Sequence, residues 1–160
     1  MPKITLLLHN IRSTHNVGSI FRTAEGFGIE RIIITGYTPY PTFVGDSRLP
    51  HLAQKITKQI HKTALDAESS VPFEYHDKLL TWLDNNTLPM VALEQDPSSQ
   101  KISDFNPPSE FVLVLGEEVE GIPDELLSHC QSIIEIPMHG KKESFNVSVA
   151  AGIALFALSS

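Results

Sequence analysis

The chain alternates between short apolar runs and longer stretches in which apolar residues recur with a helical period. The apolar runs are continuous, which is typical of strands buried on both faces of a parallel sheet. They cover residues 3–9, 31–35, 90–94, 111–115 and 132–136, and a weaker run at 71–75 predicts one further strand.

Helical periodicity fills the intervals between these runs. The predicted helices cover residues 16–27, 53–69, 76–86, 122–129 and 146–158. This alternation predicts an α/β fold, a parallel sheet between two layers of helices in an α/β/α sandwich. The last helix, VSVAAGIALFALS, has almost no polar face. We therefore expect it to be buried in the core or in a subunit interface, and its terminal position favours the interface.

Length and composition indicate a single globular domain. The chain has 160 residues, of which 41% are hydrophobic and 19% are charged. The single cysteine, Cys130, excludes an internal disulfide and fits a reducing compartment. The N-terminal residues do not read as a secretory signal, and no apolar stretch is long enough to cross a membrane. We therefore expect a cytoplasmic protein without membrane contact. The seven histidines show no metal-ligand spacing, so no metal is expected.

Charge is distributed unevenly along the chain. The net charge is -7, which taken alone argues against a nucleic-acid binder. Up to Lys62, however, eight Lys and Arg residues face three acids, and the remaining residues carry four against sixteen. This basic N-terminal part is compatible with nucleic-acid contact and equally with an ordinary solvated surface.

Ligands of open parallel sheets bind beyond the carboxyl ends of the strands, which directs attention to four loops. They cover residues 9–15, 36–51, 116–121 and 137–143. The second is longer than packing usually requires, so it is either a functional lid or a plain insertion.

The first loop continues into a helix with unusual residues. Asn16 is a suitable N-cap, and Gly26 and Gly28 end the helix. Gly18 inside the helix indicates close approach of another backbone, and Arg22 follows one turn later on the same face. A surface arginine beside a packing glycine is the simpler interpretation of these residues alone.

The third and fourth loops carry candidate binding groups. In LGEEVEGIPDE, residues 115–125, two glycines allow close backbone approach, and the acids suit a cationic or hydroxyl-bearing ligand better than a phosphate. A solvated turn is the alternative. Ser144 and Asn146 can cap the last helix and offer polar groups, and Lys141 and Lys142 could meet a phosphate. The chain lacks the G-x-S-x-G pattern that would make Ser144 a hydrolase nucleophile.

Together these segments resemble the SpoU/TrmH branch of the SPOUT RNA methyltransferases, over nearly the whole chain. Asn16, Gly18 and Arg22 match N-x-G-x-x-x-R, and Gly116, Glu118 and Gly121 match G-x-E-x-x-G. The third motif is IPM followed by Ser144, Asn146 and Ser148, with Phe145 where leucine is more frequent. Three motifs in this order are far more specific than any one of them.

The resemblance implies the SPOUT fold, in which the C-terminal segment threads through a loop to form a deep trefoil knot. It implies a SpoU-type domain and a homodimer joined through the knot region. Many relatives carry an N-terminal RNA-binding extension; here we expect a single domain over residues 1–160 without one. The resemblance also implies that S-adenosylmethionine binds in the knot without a metal. The implied cofactor-binding residues are Leu115, Gly116, Gly121, Ile136, Met138, Ser144 and Phe145.

The implied reaction is methylation of a ribose 2'-hydroxyl in tRNA or rRNA. The implied catalytic residues are Arg22, Asn16, Glu118, Ser144 and Asn146. The resemblance makes Arg22 the proton acceptor, but a guanidinium stays protonated, so a clamp on phosphate and developing alkoxide is the physically simpler role. Asn16 would orient the ribose, Glu118 would position Asn16 or Arg22, and Ser144 with Asn146 would tie the third motif to the first.

RNA, rather than DNA, would then bind through the basic N-terminal part and the loop at 36–51. The expected contacts are Arg12, Arg48, Lys141 and Lys142. Two alternatives stay open, a non-catalytic knotted scaffold that binds cofactor or RNA and a catalytic subunit that needs a partner protein to recruit RNA. The sequence leaves the RNA, the nucleotide position and the base undetermined.

Overall fold

The computed structural model of the chain describes residues 1–160 and contains seven strands, six α-helices and a short 3-10 helix at Ile102–Asp104. The strands are β1 Lys3–His9, β2 Arg31–Thr35, β3 Phe73–His76, β4 Met90–Leu93, β5 Gln100–Lys101, β6 Glu110–Leu115 and β7 Ser132–Glu135. The helices are α1 Thr14–Gly26, α2 Pro50–Ala64, α3 Ala67–Ser70, α4 Leu79–Asn85, α5 Asp124–Leu127 and α6 Val147–Leu158.

All strands lie in one sheet with the order β3-β2-β1-β6-β4-β7-β5, and every pairing is parallel. Successive side chains of β1 enter opposite faces, so that Leu6 and Leu8 join one apolar core and Leu7 joins the other. The larger core includes residues of α1, α2, α3 and α6, and the smaller includes residues of α4 and α5. This confirms the predicted parallel α/β architecture.

The structure differs from the prediction in one helix and in one additional strand. The helix predicted over 53–69 begins earlier, at Pro50, and is divided because Leu65 and Asp66 have left-handed backbone angles of +50° and +76°. Strand β5 has only two residues, both exposed, and therefore carries no apolar signal that could have predicted it.

Ser13, and not Asn16, caps the first helix. The Ser13 hydroxyl accepts a hydrogen bond of 3.2 Å from the backbone N–H of Asn16, so the predicted cap was wrong by three residues. The serine satisfies an otherwise unpaired helical N–H, and the side chain of Asn16 is free to bind elsewhere. At the other end, Gly28 has a φ of +63°, as expected for a glycine that ends a helix.

Helix α6 packs one side against the larger core and leaves apolar residues on the other. Val147, Ala151 and Leu155 are buried, whereas Val149 and Phe156 are exposed. A single chain therefore covers only part of this apolar helix. None of the helices combines the length and the apolar character needed to cross a bilayer.

Gly18 allows α1 to lie directly against α2. A Cβ atom at this position would collide with the Thr63 hydroxyl and with the carbonyl oxygen of Ile60. The same hydroxyl donates a hydrogen bond of 2.8 Å to the carbonyl oxygen of His15 on α1. The two helices are therefore joined where the glycine removes the steric barrier, as the sequence indicated.

We expect Gly18→Ala to lower the free energy of unfolding by about 1–3 kcal/mol, because the methyl group overpacks this contact. Gly26→Ala is the matched control on the same helix, since a Cβ there would meet nothing within 4 Å. Urea denaturation followed by circular dichroism measures both variants. Equal stability of the two would show that the helix contact tolerates a side chain at position 18.

Candidate functional site

A cleft of about 380 Å³ lies at the carboxyl ends of β4, β6 and β7. Its walls come from the segments that follow these strands and from the residues that lead into α6. Six of the seven residues predicted to bind a cofactor line it: Leu115, Gly116, Gly121, Ile136, Ser144 and Phe145.

Met138 is the exception and does not line the cleft. Ile136 and Glu143 line the cleft, but residues 137–142 between them do not. Met138 lies half-buried within this segment. The prediction that Met138 contacts the cofactor therefore does not fit the cleft of this chain.

The cleft is strongly acidic. Eight carboxylates line it, and no lysine, arginine or histidine does: Glu94, Asp96, Glu117, Glu118, Glu120, Asp124, Glu135 and Glu143. Such a field attracts a cation and repels a phosphate. The sequence indicated a preference for cationic ligands in one loop. The structure shows acidic residues around the whole cleft, so the same preference applies there.

A chain of hydrogen bonds joins all three sequence motifs beside this cleft. The carboxamide of Asn16 donates from Nδ2 to Glu118 Oε1 and accepts at Oδ1 from Asn146 Nδ2, each at 3.2 Å. Asn146 Oδ1 in turn accepts from the N–H and hydroxyl of Ser148 and from the N–H of Val149, which caps α6. Residues separated by 102 and 130 positions in the sequence are thereby fixed to one another.

Two predicted catalytic residues lie outside this chain of hydrogen bonds. Ser144 lines the cleft but forms no side-chain hydrogen bond to the first motif, so Asn146 alone makes the predicted tie. Arg22 is exposed on α1, makes no ion pair and does not line the cleft of its own chain.

The four predicted RNA contacts fall into two groups. Arg12, Lys141 and Lys142 are exposed and do not line the cleft. Arg48 instead binds within its own loop: its guanidinium donates to Asp46 and to the carbonyl oxygens of Tyr40 and Pro41. Because these donors are already engaged, the structure argues against Arg48 as an RNA contact.

The same interactions fix the long loop between β2 and α2. Arg48 lies 3.6 Å from the centroid of the Tyr40 ring, which stacks on Tyr75 of β3 with ring centroids 3.8 Å apart. Hydrogen bonds from Arg48 hold the pKa of Asp46 below its ordinary value. A loop attached at this many points favours a structural insertion over a mobile lid.

Sequence reasoning missed Glu94 and Gln95, which hold the two loops of the cleft. Glu94 Oε2 accepts from the N–H of Ile122 at 2.8 Å, and a Cβ atom on Gly121 would collide with this carboxylate. Gln95 Nε2 donates to the carbonyl oxygen of Ile136 at 2.8 Å. Their position at the carboxyl end of β4 could have predicted this role. The four loops chosen from the sequence did not include the loop after β4, although β4 lies inside the sheet, between β6 and β7.

We expect Glu94→Ala to loosen the loop between Gly116 and Ile122, because the N–H of Ile122 loses its acceptor. Loss of a buried partner makes exchange of that amide about five- to a hundredfold faster. Glu94→Gln keeps an acceptor oxygen and should restore most of the protection. Hydrogen exchange measured by NMR tests this, with Glu120→Ala as the control because the side chain of Glu120 forms no hydrogen bond. Unchanged exchange at Ile122 in Glu94→Ala would refute the role of Glu94.

Comparison with known proteins places this geometry in a family. The model of the SpoU rRNA Methylase family matches residues 3–156. The 23S rRNA (guanosine-2'-O-)-methyltransferase RlmB of Coxiella burnetii is 28% identical over 158 residues, and that of Nitrosomonas europaea is 30% identical over 158. These alignments cover 97% of this chain but only 57% and 55% of the relatives, so the chain spans somewhat over half their length.

Solved structures share the fold. The AdoMet-bound rRNA methyltransferase from Sinorhizobium meliloti has a TM-score of 0.78 at 23% identity and covers 98% of this chain and 55% of that one. The A. aeolicus TrmH/SpoU tRNA modifying enzyme has a TM-score of 0.76 at 22% identity and covers 99% and 75%. With a family match over nearly its full length and the three motifs joined at one cleft, this chain belongs to the SpoU rRNA methylase family.

Proposed function

We propose that this protein transfers a methyl group from S-adenosylmethionine to a ribose 2'-hydroxyl of tRNA or rRNA in the cytoplasm. The main support is the chain of hydrogen bonds from Glu118 through Asn16 to Asn146, which lies beside an acidic cleft. The protein is also a member of the SpoU family. Its similarity to 23S rRNA (guanosine-2'-O-)-methyltransferases supports this reaction class.

The residues of the cleft fit S-adenosylmethionine. When bound, this cofactor supplies an electrophilic methyl group on a positively charged sulfur. The eight carboxylates of the cleft favour a cation, and Leu115, Ile122 and Phe145 offer apolar surface for a purine. Gly116 and Gly121 line the cleft and let its loops pack closely, because a side chain at either position would collide with neighbouring loop residues or with Glu94.

Asn16 has the remaining hydrogen-bonding capacity needed to orient a ribose. A carboxamide has two donor hydrogens and two acceptor lone pairs, of which Glu118 and Asn146 use one each. One donor and one acceptor stay available, and the two protein partners fix the plane in which they point. Glu118 and Asn146 thus act as positioning residues, and Asn16 is the group that contacts the substrate.

Arg22 serves as the clamp on phosphate and developing alkoxide, and the proton leaves through phosphate or water. A guanidinium remains protonated at neutral pH and can form paired hydrogen bonds to phosphate. Because Arg22 is exposed and lies off the cleft of its own chain, we propose that it acts on the cleft of the partner subunit in a homodimer. The exposed apolar residues of α6, which lies beside α1, provide a surface for that dimer.

The deep trefoil knot belongs to the same proposal. The resemblance implies a C-terminal segment that threads through a loop, and a cleft formed from the loops after β6 and β7 and from the start of α6 supports this proposal. A second protein that recruits RNA remains the alternative for substrate binding, because no lysine, arginine or histidine lines the acidic cleft.

The basic assay is transfer of labelled methyl groups into total RNA, with and without cell extract. We expect the purified protein to label RNA and the label to appear in alkali-stable dinucleotides, because a methylated 2'-oxygen cannot attack the adjacent phosphodiester. Labelling only with extract would support the partner-dependent alternative. Absence of label in both conditions would overturn the enzymatic proposal in favour of a scaffold.

Arg22→Ala should lower methyl transfer about a hundredfold or more, as expected for a group that stabilises charge in the transition state. Arg22→Lys should recover little activity, because a lysine cannot make the paired contacts of a guanidinium. Binding of S-adenosylhomocysteine, measured by calorimetry, should stay near the wild-type value in both variants. Lost cofactor binding, or near-normal activity of Arg22→Lys, would contradict the clamp.

Mixing Arg22→Ala with Gly116→Ala tests whether Arg22 acts across subunits. In Gly116→Ala the added methyl group would collide with Ile122 and Gly121 and deform the cleft. If Arg22 acts on the partner's cleft, a refolded equimolar mixture contains one intact site in each mixed dimer and recovers about a quarter of wild-type activity. If each variant is inactive alone and the mixture also stays inactive, Arg22 does not act in trans.

A further inference from the structure

A rigid turn beside the site presents an aromatic ring to solvent. Tyr37 directly follows Gly36 after β2, and 53% of its surface is exposed. Its backbone N–H donates a 3.0 Å hydrogen bond to Asn10 Oδ1 in the loop after β1. The turn is therefore attached to the neighbouring strand end, which fixes the backbone from which the ring projects.

Each of the two connected loops contains a left-handed residue. Gly36 has a φ of +67° and Asn10 a φ of +57°, and a Cβ atom on Gly36 would collide with the Asn10 carboxamide. Glycine and, less often, asparagine tolerate the left-handed conformation, so both residue types suit their positions here. Below the turn, His9 Nδ1 and Thr35 Oγ1 form a buried hydrogen bond of 2.8 Å that joins the ends of β1 and β2.

Arg12 lies over the exposed ring and connects it to the candidate site. The guanidinium carbon is 5.7 Å from the centroid of the Tyr37 ring, and Arg12 is itself exposed. The backbone N–H of Arg12 donates to Glu118 Oε2 at 3.5 Å, and the other oxygen of this carboxylate binds Asn16. The arginine and the tyrosine are thus held next to the residue that we propose orients the ribose.

An exposed aromatic ring with an adjacent guanidinium has the chemistry of a nucleobase platform. Bases stack on tyrosine rings and on guanidinium planes, and a guanidinium can also bind the phosphate of the same nucleotide. A base within a duplex has both faces covered by its neighbours, so only an unpaired nucleotide can stack in this way.

We propose that Tyr37 and Arg12 form a stacking platform for an unpaired nucleobase of the RNA substrate beside the target ribose. The proposal rests on the proposed function, because it places the base next to the methylated sugar. It assigns RNA recognition to a site outside the acidic cleft, and it restricts the substrate to an unpaired loop, bulge or strand end.

Binding of single-stranded RNA to Tyr37→Ala, Tyr37→Phe and the wild type provides the test. The probe is an unstructured oligoribonucleotide, compared with the same strand in a duplex, and Val44→Ala is the control at another exposed apolar position. Tyr37→Ala should bind the single strand about five- to a hundredfold more weakly, since alanine removes the stacking surface. Tyr37→Phe keeps the ring and should bind like the wild type, and the duplex should bind weakly to every variant.

Kinetics add a second readout. With total RNA as substrate, Tyr37→Ala should raise the KM for RNA and leave the affinity for S-adenosylhomocysteine unchanged. Equal binding of the single strand by Tyr37→Ala and the wild type would overturn the platform. A changed oligomeric state of Tyr37→Ala in light scattering would also overturn it, by assigning Tyr37 to a subunit contact. Failure of methyl transfer by the wild type would reject the proposed function. The comparison of RNA binding by Tyr37→Ala and the wild type would still test whether Tyr37 stacks on a base.

Discussion

The site depends on the double hydrogen bonding of one carboxamide. Asn16 donates to Glu118 and accepts from Asn146, so three segments that are far apart in the sequence have one common point of attachment. Because an amide has a distinct donor and acceptor end, this arrangement permits only one orientation of the side chain. The cap of α6 extends the same network, since Asn146 uses its oxygen on Ser148 and Val149 and its nitrogen on Asn16. The hydrogen-bond partners of the nitrogen and oxygen atoms of Asn16 and Asn146 thus fix how the three segments are arranged.

Residues at the end of β4 also hold the loops of the cleft in place. Glu94 and Gln95 follow each other at the end of β4 and bind opposite walls, one at Ile122 and the other at Ile136. The glycine before Ile122 has a φ of +73° and lies against the Glu94 carboxylate, so both its backbone angle and its missing side chain are required there. A central strand therefore sets the spacing of the two loops between which a ligand would bind.

The sequence predicts the strands well because each of the central ones is buried on both faces and reads as a continuous apolar run. It fails where tertiary contacts decide the outcome. Strand β5 consists of two exposed polar residues and exists only through pairing with β7. Asn16 is a good cap by residue type, but Ser13 takes that position and leaves the asparagine for the site. Arg48 has the positive charge expected of an RNA contact, but its guanidinium already donates hydrogen bonds to a neighbouring aspartate and to two backbone carbonyl groups. Such competition between partners is set by the fold and is absent from a one-dimensional pattern.

The sheet order also determines when the protein can fold during its synthesis. Strand β1 pairs on one side with β2 and on the other with β6, whose partner residues lie more than a hundred positions later in the chain. The first strand therefore leaves the ribosome long before its central neighbour exists, and its second edge stays open until then. Contacts of such large sequence separation slow folding, because closure of the long intervening chain precedes any gain from the contact. The pairing of β1 with β6 can consequently form only after more than two thirds of the chain has been synthesised.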